Sequence, residues 1–404
     1  MTDVSLILEG TYPYKTGGVA TWVDSLVRSL PSTTFSVAYL FYGPPPSAPV
    51  FRPPANVAGV SLVPLNAREF PVSMKQLVRV VPAARIYHAL STGFAGLLGV
   101  EIKDRTGSPL LLTEHGIYWH EVALGVDELE CGFKVVQTES GELQLGKTWE
   151  AWDRTFRSIA RRTYATADAI ATVCSFNQRL QEELGASKEK MHLIPNGVQS
   201  RWSGRSRARR PETGVRTKIA LVARVTPIKD IKTFIRACAL VRDRVPEAEF
   251  VIAGPTEHDP RYTAECRALA SDLGLNALTF AGEIDVASLY PSVDVLALTS
   301  VSEGQPFAVL EAFAHGIPAV VTNTGGCPEL VEPRSPATPP AGVVCRVGDP
   351  AAVAGALVRL LTDSEFYATC SREARRRVRE EYDWRTTAFA YGELYRRLQN
   401  QEAA

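Results

Sequence analysis

Residues 294–322 read DVLALTSVSEGQPFAVLEAFAHGIPAVVT. The apolar run at 294–299 predicts a buried strand, and Pro306 is typical of the first turn of a helix. A second apolar run at 319–322 predicts another strand after that helix. Strand, helix and strand in this order form a βαβ unit, whose two strands are parallel. The stretch therefore predicts an α/β fold built on a parallel sheet.

The same alternation of short apolar runs and longer helical patterns extends through the rest of the chain. In the first half, strands are predicted at 4–8, 34–41, 110–113, 169–173 and 191–194, with helices at 19–30, 93–104, 153–165 and 177–184. In the second half, strands are predicted at 218–223, 250–254, 278–282, 294–299, 319–322 and 342–346. The pattern predicts two doubly wound, Rossmann-like domains.

The length of 404 residues is typical of two domains. We place the first domain at 1–200 and the second at 215–383, and we expect a final helix at 384–404 to pack back onto the first domain. The segment 199–214 between them is rich in arginine and has no apolar period, which indicates a surface linker. Solvation explains these arginines more simply than contact with an anionic acceptor or a lipid surface.

The overall charge and the cysteines exclude several classes of protein. Lys and Arg number 44, as do Asp and Glu, and this balance argues against nucleic-acid binding while leaving room for one local phosphate site. The seven cysteines form no C-x-x-C pair, so we expect neither a disulfide framework nor a metal site. We expect the apolar run at 4–8 to be a buried strand rather than part of a signal peptide, and the sequence has no run of about 18 apolar residues. We expect a cytoplasmic protein with at most peripheral membrane association.

Two basic residues follow the first predicted strand of the second half. Arg224 and Lys229 lie at its carboxyl end, where doubly wound folds bind their ligands. An arginine can hold two oxygens of a diphosphate while a lysine adds a point charge. We therefore predict a diphosphate site here, with two solvated loop cations as the alternative.

Two acidic residues flank the start of the helix in the 294–322 stretch. Glu303 lies in the preceding loop and Glu311 lies inside the helix. Free N–H groups near Phe307 and Ala308 could hold a phosphate. Glu311 could then bind the two hydroxyls of a ribose, and Glu303 those of a second sugar. The alternative is a capping acid and a solvated helix acid.

Glycines in both halves mark places where the backbone could approach a ligand closely. Gly325 follows the next strand and brings backbone toward the same predicted cleft. In the first half, Gly17 and Gly18 lie between a strand and a helix, where backbone can approach an anion closely. Because their spacing is not G-x-G-x-x-G, a plain tight turn is the alternative for these two.

Five features in this order resemble the retaining, nucleotide-sugar-dependent glycosyltransferases of family 4. They are the Gly17-Gly18 loop, TEHG at 113–116, PNGV at 195–198, Arg224 with Lys229, and EGQP at 303–306 followed by Glu311. The resemblance covers nearly the whole chain. More narrowly, LILEGTYPY at 6–14 and LTEHGIY at 112–118 resemble the PelF-like branch, the Pel exopolysaccharide glycosyltransferases.

The resemblance implies a GT-B fold, in which two Rossmann-like domains face each other across a cleft. The first domain is then expected to bind the acceptor and the second a nucleotide-sugar donor, with a UDP-sugar favoured. The implied catalytic residues are Arg224, Lys229, Glu303 and His115. The implied donor-binding residues are Gly17, Gly18, Asn196, Gly304, Gln305, Phe307, Ala308, Glu311 and Gly325.

The family also implies retention of the anomeric configuration, with no cofactor and no metal. The basic pair and a helix dipole would do the work of a divalent cation. The histidine assignment depends on the resemblance, because a single histidine at a strand end is otherwise often structural. The acceptor could be a glycan, a lipid-linked sugar or a small molecule.

The chain departs from the PelF-like branch in its length and in one segment. It is shorter than expected, and between 121 and 153 it has eight acidic residues against Lys134 and Lys147 where a basic stretch is expected. The acidic loop is interpreted as solvated, with an amine-bearing acceptor as the alternative. Another enzyme on the same scaffold, such as a nucleotide-sugar epimerase or a phosphorylase, stays open as an alternative. So does a non-catalytic sugar-nucleotide-binding subunit of a polysaccharide assembly complex.

Overall fold

The computed structural model describes residues 1–65, 74–125, 131, 133, 149–199 and 217–402. The predicted arginine-rich linker from residue 200 onward lies outside these residues, as do residues 126–130, 132 and 134–148 of the predicted acidic loop. By its internal contacts the chain divides into two compact units. The first consists of Met1–Pro195 with Thr387–Ala404, and the second of Asn196–Thr386.

The first unit is built on parallel strands with helices between them. Strands β1 to β7 are Thr2–Glu9, Phe35–Phe41, Val57–Pro64, Ala84–Ala89, Leu110–Glu114, Ala169–Thr172 and Met191–Leu193. Helices α1 to α6 are Gly18–Ser29, Met74–Leu77, Phe94–Thr106, Tyr118–Ala123, Trp149–Thr166 and Ser175–Glu183. The described strands form one sheet in the order β3-β2-β1-β4-β5-β6-β7. All of these pairings are parallel.

Two strands of this sheet, β3 and β4, are missing from the sequence prediction. Strand β4 carries Arg85 and His88, which interrupt its apolar run, although His88 is fully buried. Strand β3, with the sequence VAGVSLVP, ends the order of described strands, and Gly59 and Ser61 interrupt its apolar residues. Both were missed because pairing with a neighbour, rather than local hydrophobicity, makes these segments strands.

The second unit repeats this plan. Strands β8 to β13 are Lys218–Val222, Glu249–Ala253, Leu278–Gly282, Val295–Leu298, Ala319–Thr322 and Gly342–Cys345. Helices α7 to α13 are Ile231–Arg242, Pro260–Asp272, Val286–Leu289, Phe307–Ala314, Cys327–Val331, Pro350–Thr362 and Ser364–Glu380. The described strands form a parallel sheet in the order β10-β9-β8-β11-β12-β13. The predicted α/β class with two doubly wound, Rossmann-like units is confirmed.

Each sheet reverses its strand order at one place. In the first unit the reversal lies between β1 and β4, and in the second between β8 and β11. The loops that leave two such strands diverge to opposite faces of the sheet and open a crevice at the carboxyl ends, where doubly wound folds bind ligands. The second unit therefore offers a ligand site beside the ends of β8 and β11.

Helix α14, Trp384–Glu402, ends the described chain and contacts the first unit through buried tyrosines. The hydroxyl of Tyr395 lies 2.8 Å from Nδ1 of His88, whose Nε2 lies 2.8 Å from the hydroxyl of Thr113. Burial, followed by the nearby His115, lowers the pKa of His88 to about 3. His88 is therefore a neutral ring that links two hydroxyl groups. Among the described helices, none is both long and apolar enough to cross a membrane.

Helix α13 contributes a fully buried arginine to the core of the second unit. The Arg377 side chain has an exposed fraction of 0%, and its Nε donates to Oε1 of Glu373 at 2.8 Å. Its two terminal nitrogens donate to the carbonyls of Leu330 at 2.5 Å and Glu332 at 2.7 Å. One side chain thus binds the end of α11 and the following loop to α13.

Candidate functional site

The carboxyl ends of β8 and β11 carry two of the predicted site residues. Lys229 lies in the loop after β8, and Glu303 lies in the loop after β11. Arg224 follows β8 by two residues and is half-buried. Because β8 and β11 are neighbours at the reversal of strand order, the fold brings Lys229 and Glu303 to the same end of the sheet.

The backbone around this lysine is fixed by contacts from the β11 side. Pro227–Lys229 form a short 3-10 turn, and Asp230 follows with a positive φ of 42°. The Thr299 hydroxyl donates to the carbonyl of Asp230 at 2.9 Å. The amide of Val301 donates to the carbonyl of Ile228, within the turn, at 2.8 Å. The lysine at the end of the turn therefore extends from a firmly held backbone.

Lys229 and Glu303 form a short ion pair. Nζ of Lys229 lies 2.6 Å from Oε1 of Glu303, and the two side chains have exposed fractions of 17% and 9%. The hydroxyl of Ser300 donates to the same carboxylate oxygen at 2.6 Å. A charge-assisted hydrogen bond with so little access to water is stronger than a surface pair. Ser300 is part of the quoted stretch, but its hydroxyl was not predicted to contact the glutamate.

Asn196 holds the loop that follows Glu303. Its backbone amide donates to Oε1 of Gln305 at 2.6 Å, and its Nδ2 donates to the carbonyl of Gln305 at 3.0 Å. Both residues are buried, and Oδ1 of Asn196 has no hydrogen-bond partner in the described part of the chain. In this structure, the two predicted donor-binding residues bind each other, while their contact with a donor stays a prediction.

Glycine is required where the next strand ends beside this loop. Gly325 has a positive φ of 55°, and a Cβ atom there would lie 1.7 Å from the carbonyl oxygen of Glu303. The amide of Gly326 donates to the carbonyl of Gly304 at 2.7 Å. Only a residue without a side chain fits so close to the backbone of another loop. Gly304 and Gly325 thus shape the loop that carries Glu303.

Helix α10 begins at Phe307. Pro306 precedes its first helical residue, so the prediction that Pro306 lies in the first turn was one position early. The proline has an extended ψ of 122°, because it ends the loop rather than starting the helix. Among the described residues, no side chain caps this end of the helix. The amides of Phe307 and Ala308 belong to the first turn, whose N–H groups have no acceptor within a helix.

Glu311 is held by a tyrosine that the sequence did not single out. The hydroxyl of Tyr290 donates to Oε2 of Glu311 at 3.0 Å, and its ring stacks on His315 with centroids 5.3 Å apart. Nδ1 of His315 lies 3.0 Å from the carbonyl oxygen of Glu311. Burial, followed by the charge of Glu311, raises the pKa of Tyr290 well above its usual value, so the hydroxyl stays a donor. No motif marks Tyr290, and only the tertiary contact reveals it.

In the first unit, Gly17 and Gly18 start helix α1. Gly17 precedes the helix with a φ of 146°, a conformation that favours glycine, and Gly18 is its first residue. No side chain caps this end of α1 in the described part of the chain. The arrangement agrees with backbone approach at a helix start and equally with the tight turn that was the alternative.

His115 follows β5 and is partly buried, with both of its ring nitrogens shielded from solvent. Its ring packs edge-on against Trp22 of α1, with centroids 4.8 Å apart. Neither ring nitrogen has a hydrogen-bond partner among the described residues. Burial lowers the pKa of His115 to about 4, so the ring is neutral at physiological pH. A neutral imidazole can donate one hydrogen bond and accept one, but it carries no charge.

Two buried carboxyl groups of the first unit were missed by the sequence prediction. Glu9 ends β1 and accepts from the Ser91 hydroxyl at 2.5 Å, while Glu114 ends β5 and accepts from the Thr92 hydroxyl at 2.5 Å. Burial raises the pKa of both carboxyl groups. Their position at strand ends was the available signal. They hold the loop between β4 and α3, which lies at the reversal point of this unit.

The predicted site residues are divided between the two units. In the second unit the structure brings together Lys229 with Glu303, Asn196 with Gln305, and Gly304 with the Gly325 turn. Gly17, Gly18 and His115 belong to the first unit. The described residues contain no group of three or more His, Cys, Asp or Glu side chains placed to hold a metal ion.

Two family models match the chain. Residues 216–363 match the family described as Glycosyl transferases group 1. Residues 2–76 and 69–189 match a domain of unknown function, DUF3492. The first match covers the second unit from before β8 to the end of α12, including the ends of β8 and β11.

Relatives of established name include two proteins of Mycobacterium tuberculosis. Glycogen synthase is 28% identical over 64% of this chain, which spans 61% of the length of that relative. A GDP-mannose-dependent alpha-(1-6)-phosphatidylinositol monomannoside mannosyltransferase is 24% identical over 97% of both chains. A D-inositol 3-phosphate glycosyltransferase of Salinispora arenicola is 33% identical over 46% of this chain and 42% of its own.

Solved structures share the fold over almost the whole chain. A sucrose-phosphate synthase from Thermosynechococcus elongatus has a TM-score of 0.76 at 19% identity and covers 98% of this chain and 99% of its own. HepE of Anabaena in complex with UDP and glucose has a TM-score of 0.71 at 17% identity, with the same coverage. Likeness at this identity is evidence of fold alone, and the fold of two Rossmann-like domains is GT-B.

Proposed function

We propose that this chain, which has the GT-B fold and matches the glycosyl transferases group 1 family over residues 216–363, is a glycosyltransferase. It moves a sugar from a nucleoside-diphosphate sugar to a hydroxyl group of an acceptor. The observation that carries the proposal is the Lys229–Glu303 pair, 2.6 Å apart where the strand order of the second unit reverses. A cation and a carboxylate suit the two parts of such a donor, its diphosphate and its polyhydroxylated sugar.

Lys229 and Arg224 are proposed to stabilise the leaving group. Negative charge develops on the nucleoside diphosphate as the bond to the sugar breaks, and a positioned cation stabilises that charge most where water is excluded. Lys229 meets this condition, because its side chain is 17% exposed and the backbone of its turn is fixed by two hydrogen bonds from the β11 side. Arg224, on the same loop, would bind the diphosphate beside it.

The start of α10 is proposed to bind the remainder of the donor. The amides of Phe307 and Ala308 would hold a phosphate, since the first turn of a helix favours anions. Glu311, oriented by Tyr290, would accept hydrogen bonds from the two ribose hydroxyls. Glu303 would accept hydrogen bonds from the hydroxyls of the transferred sugar.

We propose a retaining, metal-independent reaction. The acceptor hydroxyl attacks the anomeric carbon on the face that the diphosphate leaves, and a leaving phosphate oxygen takes the acceptor's proton. The neutral ring of His115 would offer a hydrogen bond to the sugar. The charge that a divalent cation neutralises in other transferases would be met by Arg224 and Lys229.

A UDP-sugar is the proposed donor, and a glycan, a lipid-linked sugar or a small molecule is the proposed acceptor. The narrower resemblance to the PelF-like branch favours exopolysaccharide biosynthesis among these. Relatives differ in their donors, since the mannosyltransferase above is named as GDP-mannose-dependent and HepE was solved with UDP-glucose. The test must therefore include both uridine and guanosine diphosphate sugars.

The experiment is a donor panel. The full chain is incubated with UDP-sugars and GDP-sugars, with and without EDTA, and release of the nucleoside diphosphate is followed. We expect release with at least one donor, at an unchanged rate in EDTA. Because hydrolysis without the true acceptor is slow, binding of each nucleotide is measured in parallel by calorimetry. A protein that neither binds nor cleaves any donor would contradict the proposal, and epimerised donor without diphosphate release would favour an epimerase.

Replacing Tyr290 by phenylalanine tests the role of Glu311. The variant removes the hydroxyl that orients Oε2 of Glu311, so we expect UDP to bind about fivefold to tenfold more weakly. Binding of 2′,3′-dideoxy-UDP, which lacks the ribose hydroxyls, should not change. Calorimetric titration of both nucleotides gives the comparison.

Tyr367→Phe is the matched control, because it removes a tyrosine hydroxyl that donates to the backbone carbonyl of Asp294 in the same unit. This variant should bind both nucleotides as the wild type does. Equal weakening of UDP and dideoxy-UDP by Tyr290→Phe would refute a role in ribose recognition and indicate a general loss of structure.

A further inference from the structure

The ion pair of Lys229 and Glu303 creates a conflict for any phosphate that binds there. Glu303 has one carboxylate oxygen, Oε1, that accepts from both Lys229 and Ser300 at 2.6 Å. A phosphate drawn to the same ammonium group brings a second anion close to that carboxylate. The Glu303 side chain is only 9% exposed, so water can do little to stabilise its negative charge when a phosphate shares the positive charge of Lys229.

A sugar nucleotide and a bare nucleoside diphosphate meet this conflict differently. The β-phosphate of the sugar nucleotide is joined to the sugar by an ester bond and to the α-phosphate by an anhydride bond, so it has one negative charge. The terminal phosphate of the bare diphosphate gains a second charge near neutral pH. The sugar also brings hydroxyl groups that can donate to a carboxylate. The bare diphosphate has more charge to repel Glu303 and no donor to satisfy it.

We propose that Glu303, through its pair with Lys229, makes the site discriminate between the sugar nucleotide and the bare nucleoside diphosphate. The inference rests on the proposed function and adds a specificity role to the same site. Discrimination arises because a bound sugar nucleotide donates hydrogen bonds from its sugar to the Glu303 carboxylate. A bound nucleoside diphosphate offers no such donor and leaves two anions, its phosphate and Glu303, beside one lysine. After transfer, the same repulsion favours release of the nucleoside diphosphate.

The residues around the ion pair hold Glu303 close to the ammonium group for which it and a phosphate compete. Thr299 and Val301 fix the backbone of the lysine's turn, so the ammonium group of Lys229 can move only as far as its own side chain rotates. Ser300 holds the glutamate from the other side. The backbone of Gly325 packs so closely against the carbonyl groups of Glu303 and Gly304 that a Cβ atom at Gly325 would not fit. The carboxylate therefore stays beside the phosphate position.

The test compares two ligands in one variant. UDP and UDP-glucose are titrated calorimetrically into wild type and Glu303→Gln, with GDP and GDP-mannose used instead if the donor panel selects GDP. The glutamine keeps the size of the side chain and removes its charge. We expect UDP to bind roughly tenfold more tightly to Glu303→Gln, while UDP-glucose does not gain affinity. The inhibition constant of UDP in the transfer assay should fall in parallel.

Two further variants make the result specific. Glu303→Asp keeps the charge but shortens the side chain, and it should tighten UDP less than Glu303→Gln does. Glu249→Gln removes one negative charge near Lys218, at the opposite end of the sheet, and should leave both affinities unchanged. Thermal melting of each variant confirms that it is folded.

The outcomes separate the two proposals. A wild type that binds both nucleotides, with Glu303→Gln leaving the UDP affinity unchanged or weaker, overturns the discrimination role and leaves the proposed function intact. A folded wild type that binds neither nucleotide of either pair overturns the proposed function, and the inference with it.

Discussion

Replacing Lys229 by alanine is expected to reduce the rate of sugar transfer by about 100-fold to 1000-fold, the usual cost of losing one preorganised group that stabilises transition-state charge. The substitution removes the ammonium group proposed to meet the leaving diphosphate. It also leaves Glu303 without its cation at an exposed fraction of 9%. The measurement is the rate of nucleoside-diphosphate release at saturating donor, compared between wild type and Lys229→Ala.

The control for this prediction is Lys218→Ala. Lys218 begins β8, so it lies at the opposite end of the strand from the loop of Lys229, and its ion pair with Glu249 is longer, at 3.8 Å. This variant removes the same charge from the same unit and should transfer sugar at the wild-type rate. Lys229→Arg should recover part of the activity, because it restores charge without the same geometry. A folded Lys229→Ala that transfers at nearly the wild-type rate would rule out the leaving-group role.

Replacing Arg377 by methionine is expected to lower the free energy of unfolding by about 3 to 5 kcal/mol, because each buried polar group that loses its donor costs about 1 to 3 kcal/mol. Arg377 is completely buried, and its loss removes the donor to the backbone carbonyls of Leu330, Glu332 and Pro339. Glu373 keeps Arg376 as a partner. Methionine fills much of the same volume but cannot donate. Urea unfolding, followed by circular dichroism, measures the difference.

Arg379→Met is the comparison for this variant. Arg379 lies on the same helix, α13, but its side chain is 75% exposed and pairs with Glu380 at the surface. Its replacement should change the free energy of unfolding by no more than about 0.5 kcal/mol. If Arg377→Met and Arg379→Met lowered the free energy of unfolding by the same small amount, the buried hydrogen bonds of Arg377 would not be what holds α11 and α13 together.

The local signals in the sequence were strong for the ligand loops of the second unit. Apolar runs predicted β8 and β11, and the charged residues that follow them were identified from their position at strand ends. Pattern reasoning was weaker where a segment depends on its neighbours. Gly59 and Ser61 interrupt the apolar residues of β3, and Arg85 and His88 interrupt those of β4, so neither segment has a continuous apolar run.

The sequence by itself determined the α/β class, the parallel strands and the identity of Lys229, Glu303 and Glu311 as candidates. It could do so because hydrophobic periodicity and strand-end position are local properties of the chain. Only the tertiary structure decided which groups meet. Lys229 and Glu303, 74 residues apart, form a 2.6 Å pair because β8 and β11 are neighbours in the sheet. Tyr290 reaches Glu311 across 21 residues for the same kind of reason. Such contacts depend on the packing of distant segments, which no local pattern encodes.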